Sequence, residues 1–203
     1  LARRLNGWLY QRAVRRAMRQ LGWSELPVLW VYTPTAARYL DGLPNRGMVY
    51  HCVDRWWAFD DYDSQEMRAC HAILCRRADH VFVSSLELET DCDRLTTKVS
   101  YVPHGVDWDH FHKALGSDVT RPADLPDTGR PVIGFIGLID SWIDLDSLAA
   151  VARAHPEADL VLIGASRVPL DALAALPNIR LLGRKPFGEL PAYLRNFSVS
   201  LVP

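Results

Sequence analysis

Short apolar runs separated by helical stretches recur along almost the whole chain, and this alternation leaves few folds open. Strands are expected at Pro27–Tyr32, Met48–Val53, His80–Val83 and Val99–Val102. Between them fall a turn or short helix near Thr35–Leu40, a helix over Ser64–Arg77, and a helix capped by Ser84-Ser85 that runs to about Leu95. Asp63 and Glu66 stand at capping-box spacing before the second of these. A polar, Pro/Gly-rich stretch, Gly116–Arg130, reads as a linker. Beyond it strands are expected at Val132–Ile136, Leu160–Ile163, Ile179–Leu182 and Ser198–Val202, with helices near Leu145–Ala154, Leu170–Leu176 and Glu189–Asn196. Strands this short and continuously apolar, each followed by a helix, predict an α/β fold with parallel sheets covered on both faces.

Boundaries are therefore expected at residues 1–112 for part of a first domain, 113–130 for the linker, and 131–203 for the first half of a second. The chain begins at Leu1 without Met and ends at Pro203 just past an apolar strand, so both domains are expected to be incomplete pieces of a longer protein. No apolar run is long enough to form a transmembrane helix. The formal charge of −1 is unevenly spread. Residues 1–21 carry six arginines and no acid, leaving 17 basic and 24 acidic residues in the remainder.

That basic segment holds an apolar face at helical spacing, Tyr10, Ala13, Val14, Ala17, Met18 and Leu21, opposite Arg12, Arg15, Arg16 and Arg19. Leu1, Leu5 and Trp8 fall on the arginine side if the helix is continuous. Two readings stay open. Either Asn6-Gly7 interrupts a packed surface helix with a solvated basic face, or one side is apolar and cationic together, as in a helix lying on an anionic membrane surface.

Cys52, Cys70, Cys75 and Cys92 form no C-x-x-C pair, and their gaps match no zinc pattern. Reduced thiols in a cytoplasmic protein are expected, with no metal, and a Cys70–Cys75 disulfide is the alternative.

In a doubly wound sheet the ligand crevice lies at the carboxyl ends of the strands. Val132–Ile136 is followed by Gly137-Leu138-Ile139-Asp140, Leu160–Ile163 by Gly164-Ala165-Ser166-Arg167, and Ile179–Leu182 by Gly183-Arg184-Lys185. Three strands each ending in glycine make a rim where a ligand could approach backbone, and Arg167, Arg184 and Lys185 could supply charge for a diphosphate. The G-x-G-x-x-G fingerprint is absent, and tight turns with solvated cations are the competing account. In the first half Met48–Val53 ends at Asp54, followed by Arg55-Trp56-Trp57-Ala58-Phe59. A carboxylate beside clustered aromatics resembles a sugar-binding cleft, with a capped hydrophobic core as the alternative. His51, within that strand, faces either core or cleft.

The ordered motifs Met48–Asp54, Ala78–Ser85, Val102-Pro103-His104-Gly105-Val106-Asp107, Gly134–Gly137 and Asn178–Gly183 resemble retaining GT-B glycosyltransferases of family 4, the group 1 glycosyltransferases. The likeness is greatest to bacterial enzymes of surface-polysaccharide assembly, including the teichuronic acid biosynthesis type, and runs from about Val28 to Pro203. It implies two Rossmann-like domains, an acceptor domain and a nucleotide-sugar domain. It implies transfer of a hexose-like sugar from a UDP- or GDP-sugar to a glycan or lipid-linked acceptor in cell-surface polysaccharide synthesis, with retention and without a cofactor beyond the donor or a metal. By the same likeness Asp54 and then His51 are the candidates for the transferred sugar. Gly137, Ile139, Asp140, Gly164, Arg184 and Lys185 are the candidates around the donor nucleotide. The family's acidic motif and first-domain acceptor loop are absent from this sequence, so the piece alone is expected to be inactive. A peripheral place on the inner membrane face through residues 1–21 is expected, and nucleic acid is not. The alternatives are a GT-B-type sugar-nucleotide epimerase and a non-catalytic nucleotide-binding or membrane scaffold module.

Overall fold

The computed structural model describes residues 2–116 and 119–203, with side chains from residue 5 onward. Leu1, Ser117, Asp118 and the side chains of Arg3 and Arg4, all part of the sequence expectations above, lie outside the described residues. The chain divides into two units, Leu1–Gly105 and Val106–Pro203.

The first unit runs α1 (Ala2–Gln20), β1 (Val28–Val31), a 3-10 turn (Pro34–Arg38), β2 (Gly47–Cys52), α2 (Ser64–Arg77), β3 (His80–Val83), α3 (Leu86–Asp93) and β4 (Val99–Tyr101). Its four strands are all parallel, in the order β1-β2-β3-β4. Asp63 starts α2 by accepting the Glu66 N–H at 2.9 Å, and Ser85 starts α3 by accepting the Leu88 N–H at 3.3 Å. The Glu66 carboxylate pairs with Arg38.

Period-two alternation decides what each strand buries. Met48, Tyr50 and Cys52 of β2 and Val81 and Val83 of β3 face the core, against Met67, Cys70, His71, Leu74 and Cys75 of α2 and Leu88 and Cys92 of α3. The opposite face was expected to be covered as well. Among the described residues it is not: Trp30 and Tyr32 are about half exposed there, and Trp30 stacks on Phe82 with centroids 5.8 Å apart. The alternation of aromatic and aliphatic residues in these strands is the one-sided pattern, which a count of apolar residues alone conceals.

α1 is continuous through Asn6-Gly7, so the interruption option is excluded. Its packed stripe is Gly7, Gln11, Val14 and Met18, whereas Tyr10, Ala13, Ala17 and Leu21 of the expected apolar face are exposed. Gln11 donates to the carbonyls of Tyr39 (3.2 Å) and Asp41, and Arg15 to that of Gly42. Polar anchors to a loop seat the helix together with Val14, which packs against the core. This leaves Leu5, Trp8 and Leu9 exposed beside arginines, with the Arg12 guanidinium 5.4 Å from the Trp8 ring.

The second unit comprises α4 (Trp108–His112), a 3-10 turn (Lys113–Leu115), β5 (Val132–Ile136), α5 (Leu145–Ala154), β6 (Asp159–Ile163), α6 (Asp171–Ala174), β7 (Ile179–Gly183), α7 (Leu190–Arg195) and β8 (Val199–Ser200). Its parallel sheet has the order β7-β6-β5-β8. All five residues of β6 are buried, because both faces are covered as the continuous apolar run predicts. Phe135, Leu148, Leu160, Leu162 and Leu173 form one core, and Leu125, Val132, Val161, Ile163 and Tyr193 the other. Full burial of each such aliphatic side chain is worth about 1.5–3 kcal/mol. Leu125 lies inside the expected linker, and the segment is tied further by the Tyr193 hydroxyl, which donates to Asp124 at 2.7 Å. Both units are therefore parallel α/β layers, as the sequence alternation predicts.

Candidate functional site

The carboxyl ends of β5, β6 and β7 converge on an open cleft of about 410 Å³ lined by Gly137, Leu138, Gly164, Ala165, Arg167, Arg184, Lys185 and the ends of neighbouring apolar residues. Two of its walls are loops zipped to each other. The Gly137 N–H donates to the Ile163 carbonyl, the Ile139 N–H to the Ala165 carbonyl and the Arg167 N–H to the Ile139 carbonyl, each at 2.9 Å. The parallel ladder thus continues past the strands, with Ile139 bridged to Ser166.

This pairing explains the glycines. Gly164 has φ +148, and a side chain on it would overlap the Gly137 carbonyl oxygen. A side chain on Gly137 would come within 2.6 Å of the Phe135 ring. The two glycines therefore permit close approach of backbones and ring, and their amides are spent within the protein, since the Gly164 N–H donates to Gly183 at 2.9 Å. Leu138 and Ala165 also line the cleft, and among the described residues their N–H groups are not used in this ladder. Leu138 falls between the paired residues Gly137 and Ile139 and so alternates out of the ladder, a signal that reading glycines alone does not detect.

The remaining expected residues separate clearly. Ile139 is 2% exposed with both backbone groups paired, so it holds the loop and does not line the cleft, a correction to its expected place at the nucleotide. Asp140 is also absent from the cleft lining; its carboxylate lies 3.3 Å from the Arg167 guanidinium. Lys185 is in the cleft wall but is paired with Asp124 and lies 5.9 Å from the Tyr193 ring. The Lys185 ammonium, then the Tyr193 hydroxyl, hold the Asp124 carboxyl below its usual range. Arg184 is exposed and has no ion-pair or hydrogen-bond partner among the described residues, leaving its five donors for an anion.

In the first unit Asp54 follows β2 at an exposed bend. Desolvation raises its pKa, and the charge of His104 opposes that rise. His51 points to the uncovered face, its ring 5.1 Å from Tyr32, 6.1 Å from Trp30 and 6.2 Å from Phe82. Its Nδ1 is buried without a hydrogen-bond partner among the described residues. Desolvation first, then His104, lower its pKa and favour the neutral ring. His104, which follows β4, thus acts on both candidates at the carboxyl end of this sheet; the sequence carried it only as part of a motif. The neighbouring aromatics are buried to different degrees. Trp57 is buried against His71 at 4.6 Å, and Trp56 packs with Phe59 and Tyr62. Trp57 thus belongs to the core, with Trp56 packed against it.

No family model matches the sequence, and no curated protein matches it. Among solved structures, the chain is similar to sucrose-phosphate synthase from Thermosynechococcus elongatus, with a TM-score of 0.73 at 15% identity. That likeness establishes the fold. The match covers 94% of this chain and 53% of that one, so the chain spans about half the length of the sucrose-phosphate synthase structure.

Proposed function

We propose that the full-length protein is a glycosyltransferase that moves a sugar from a nucleotide-diphosphate sugar to a glycan or lipid-linked acceptor. The observation that carries this reading is the cleft at the carboxyl ends of β5–β7, with unspent peptide N–H groups and an unpartnered Arg184 in its wall, in a fold shared with sucrose-phosphate synthase. A diphosphate suits such a cleft: the amides of Leu138 and Ala165 would donate to its oxygens, and Arg184 would offset the charge that builds on the leaving diphosphate. Lys185 would contribute after exchanging Asp124 for the anion. In this reading Asp54 accepts hydrogen bonds from sugar hydroxyls, and His51 acts as a neutral ring. Transfer with retention, a UDP or GDP donor, and a role in cell-surface polysaccharide synthesis complete the proposal.

Calorimetry of the full-length protein against UDP, GDP and ADP without added metal tests it. Micromolar binding of one diphosphate, weakened by Arg184→Ala, is the expected result. Absence of binding to all three leaves the scaffold reading in its place.

A second observation supports attachment to an anionic membrane surface. α1 exposes Leu5, Trp8 and Leu9 together with Arg12, Arg16 and Arg19, the combination an interfacial helix uses. Co-sedimentation with anionic but not neutral vesicles is expected, and equal binding to both refutes the attachment.

A further inference from the structure

The core of the first unit contains a polar cluster that the transferase reading does not use. Cys52 ends β2, His71 and Cys75 stand four residues apart on one face of α2, and Cys92 lies on α3. The three thiols are fully buried and the imidazole is 4% exposed. Cys75 Sγ lies 3.5 Å from His71 Nε2 and 3.8 Å from Cys92 Sγ, and Cys92 Sγ lies 3.9 Å from the same Nε2. Cys52 Sγ lies 3.9 Å from His71 Nδ1, on the Tyr50 side of the ring, and within 4.8 Å of Cys92 Sγ.

We infer that His71 Nε2, Cys75 and Cys92, with Cys52 as fourth donor once its sulfur turns from Nδ1 toward them, form a closed tetrahedral site for a thiophilic divalent cation, zinc foremost. Metal–sulfur bonds of about 2.3 Å and metal–nitrogen bonds of about 2.0–2.1 Å place tetrahedral donors about 3.6–3.8 Å apart. The triangle of 3.5, 3.8 and 3.9 Å has that size without rearrangement. The outer contacts fit as well. Tyr50 Oη lies 3.1 Å from His71 Nδ1, so an Nδ1–H donating to that oxygen turns the Nε2 lone pair toward the sulfurs, the arrangement that orients metal-bound histidines. Among the described residues Nε2 has no oxygen or nitrogen partner, and thiols are weak ones.

Charge sets a condition on the cation. Three thiolates, a neutral imidazole and a divalent cation sum to −1, so a divalent charge is what lets the buried thiols ionise together. Each ligating thiol gives its proton to solvent, and binding is therefore pH-dependent. The ligands come from β2, α2 and α3, so the metal would tie three elements of one core. Their separation along the chain is why C-x-x-C spacing gives no sign of the site.

The test is metal content of the full-length protein, purified under reductant and exposed to Zn²⁺, by plasma mass spectrometry. Cobalt substitution in the same protein supplies a spectroscopic readout of geometry. One metal per chain is expected, with sulfur-to-cobalt charge transfer and the intense visible bands of a tetrahedral centre. Cys92→Ala should lose the metal, whereas Cys70→Ala, at a buried cysteine outside the cluster, should keep it. Tyr50→Phe should weaken binding about 10–100-fold while leaving the tetrahedral spectrum. Should Cys92→Ala not fold, the wild-type cobalt spectrum still decides. No stoichiometric metal, octahedral cobalt bands without charge transfer, or equal retention in Cys92→Ala each overturns the site.

Discussion

Replacing Gly164 with alanine places a methyl group on top of the Gly137 carbonyl oxygen and 2.8 Å from its carbonyl carbon, at a residue held at φ +148. Both groups belong to the zipped loops that wall the cleft, so neither can move without breaking the Gly137 N–H to Ile163 bond or its neighbours. The backbone conformation costs a non-glycine residue about 1–3 kcal/mol. Overpacking against a fixed carbonyl costs about 1–3 kcal/mol more. The lower ends together, about 2 kcal/mol, lower the melting temperature of a unit of this size by at least about 8 °C. Two controls separate the terms. Gly183 has φ +65, and a methyl group added there would meet no atom within 4 Å, so its alanine variant carries only the backbone cost. Gly188 has open space and an ordinary φ, and its variant should melt close to wild type. Thermal unfolding followed by circular dichroism should rank the losses Gly164→Ala, then Gly183→Ala, then Gly188→Ala. A Gly164→Ala protein melting within about 2 °C of Gly188→Ala refutes the close-approach account.

Asn178 donates through Nδ2 to the carbonyls of Ala152 (2.9 Å), His155 (3.1 Å) and Ala158 (3.1 Å), sealing the end of α5. Asn178→Ala should cost about 1–3 kcal/mol in urea unfolding, and Asn178→Asp more, because a carboxylate would face the same carbonyls. Asp124 has a folded pKa held below its unfolded value by Lys185 and Tyr193. Its contribution is complete above the unfolded value of about 3.9 and is lost as pH falls through the folded one. With the carboxylate 40% exposed, the effect is at most about 1 kcal/mol. Asp124→Asn should flatten the acid limb of the stability profile below about pH 4, and an unchanged limb contradicts the pairing.

Elements defined by strong local pattern were legible to the residue. Ser64–Arg77, His80–Val83, Val132–Ile136 and Leu145–Ala154 have the boundaries that their caps and apolar runs predict. What local pattern could not carry was the identity of partners. α1 docks through Gly7 and Gln11 as well as Val14 and Met18, and an apolar count marks only the last two. The rim glycines were legible as special positions, but their reason, contact with each other's loop and with Phe135, is tertiary. Ile139 stood next to the right glycine and faces inward because the ladder continues past β5. Arg184 and Lys185 are adjacent in sequence with different electrostatic situations, since only Lys185 meets an acid, 61 residues upstream at Asp124. The thiol–imidazole cluster was hidden for the same reason: its members belong to three elements.

The central claim is that the rim of the second sheet binds the diphosphate of a nucleotide-sugar. Calorimetric titration of the full-length protein with UDP, GDP and ADP, repeated on a folded Arg184→Ala variant, tests it most directly. The account predicts micromolar binding of one nucleotide, weakened roughly tenfold or more by the loss of a charge-assisted donor pair worth about 1.5–3 kcal/mol. Absence of binding to any of the three, or binding indifferent to Arg184→Ala, contradicts it.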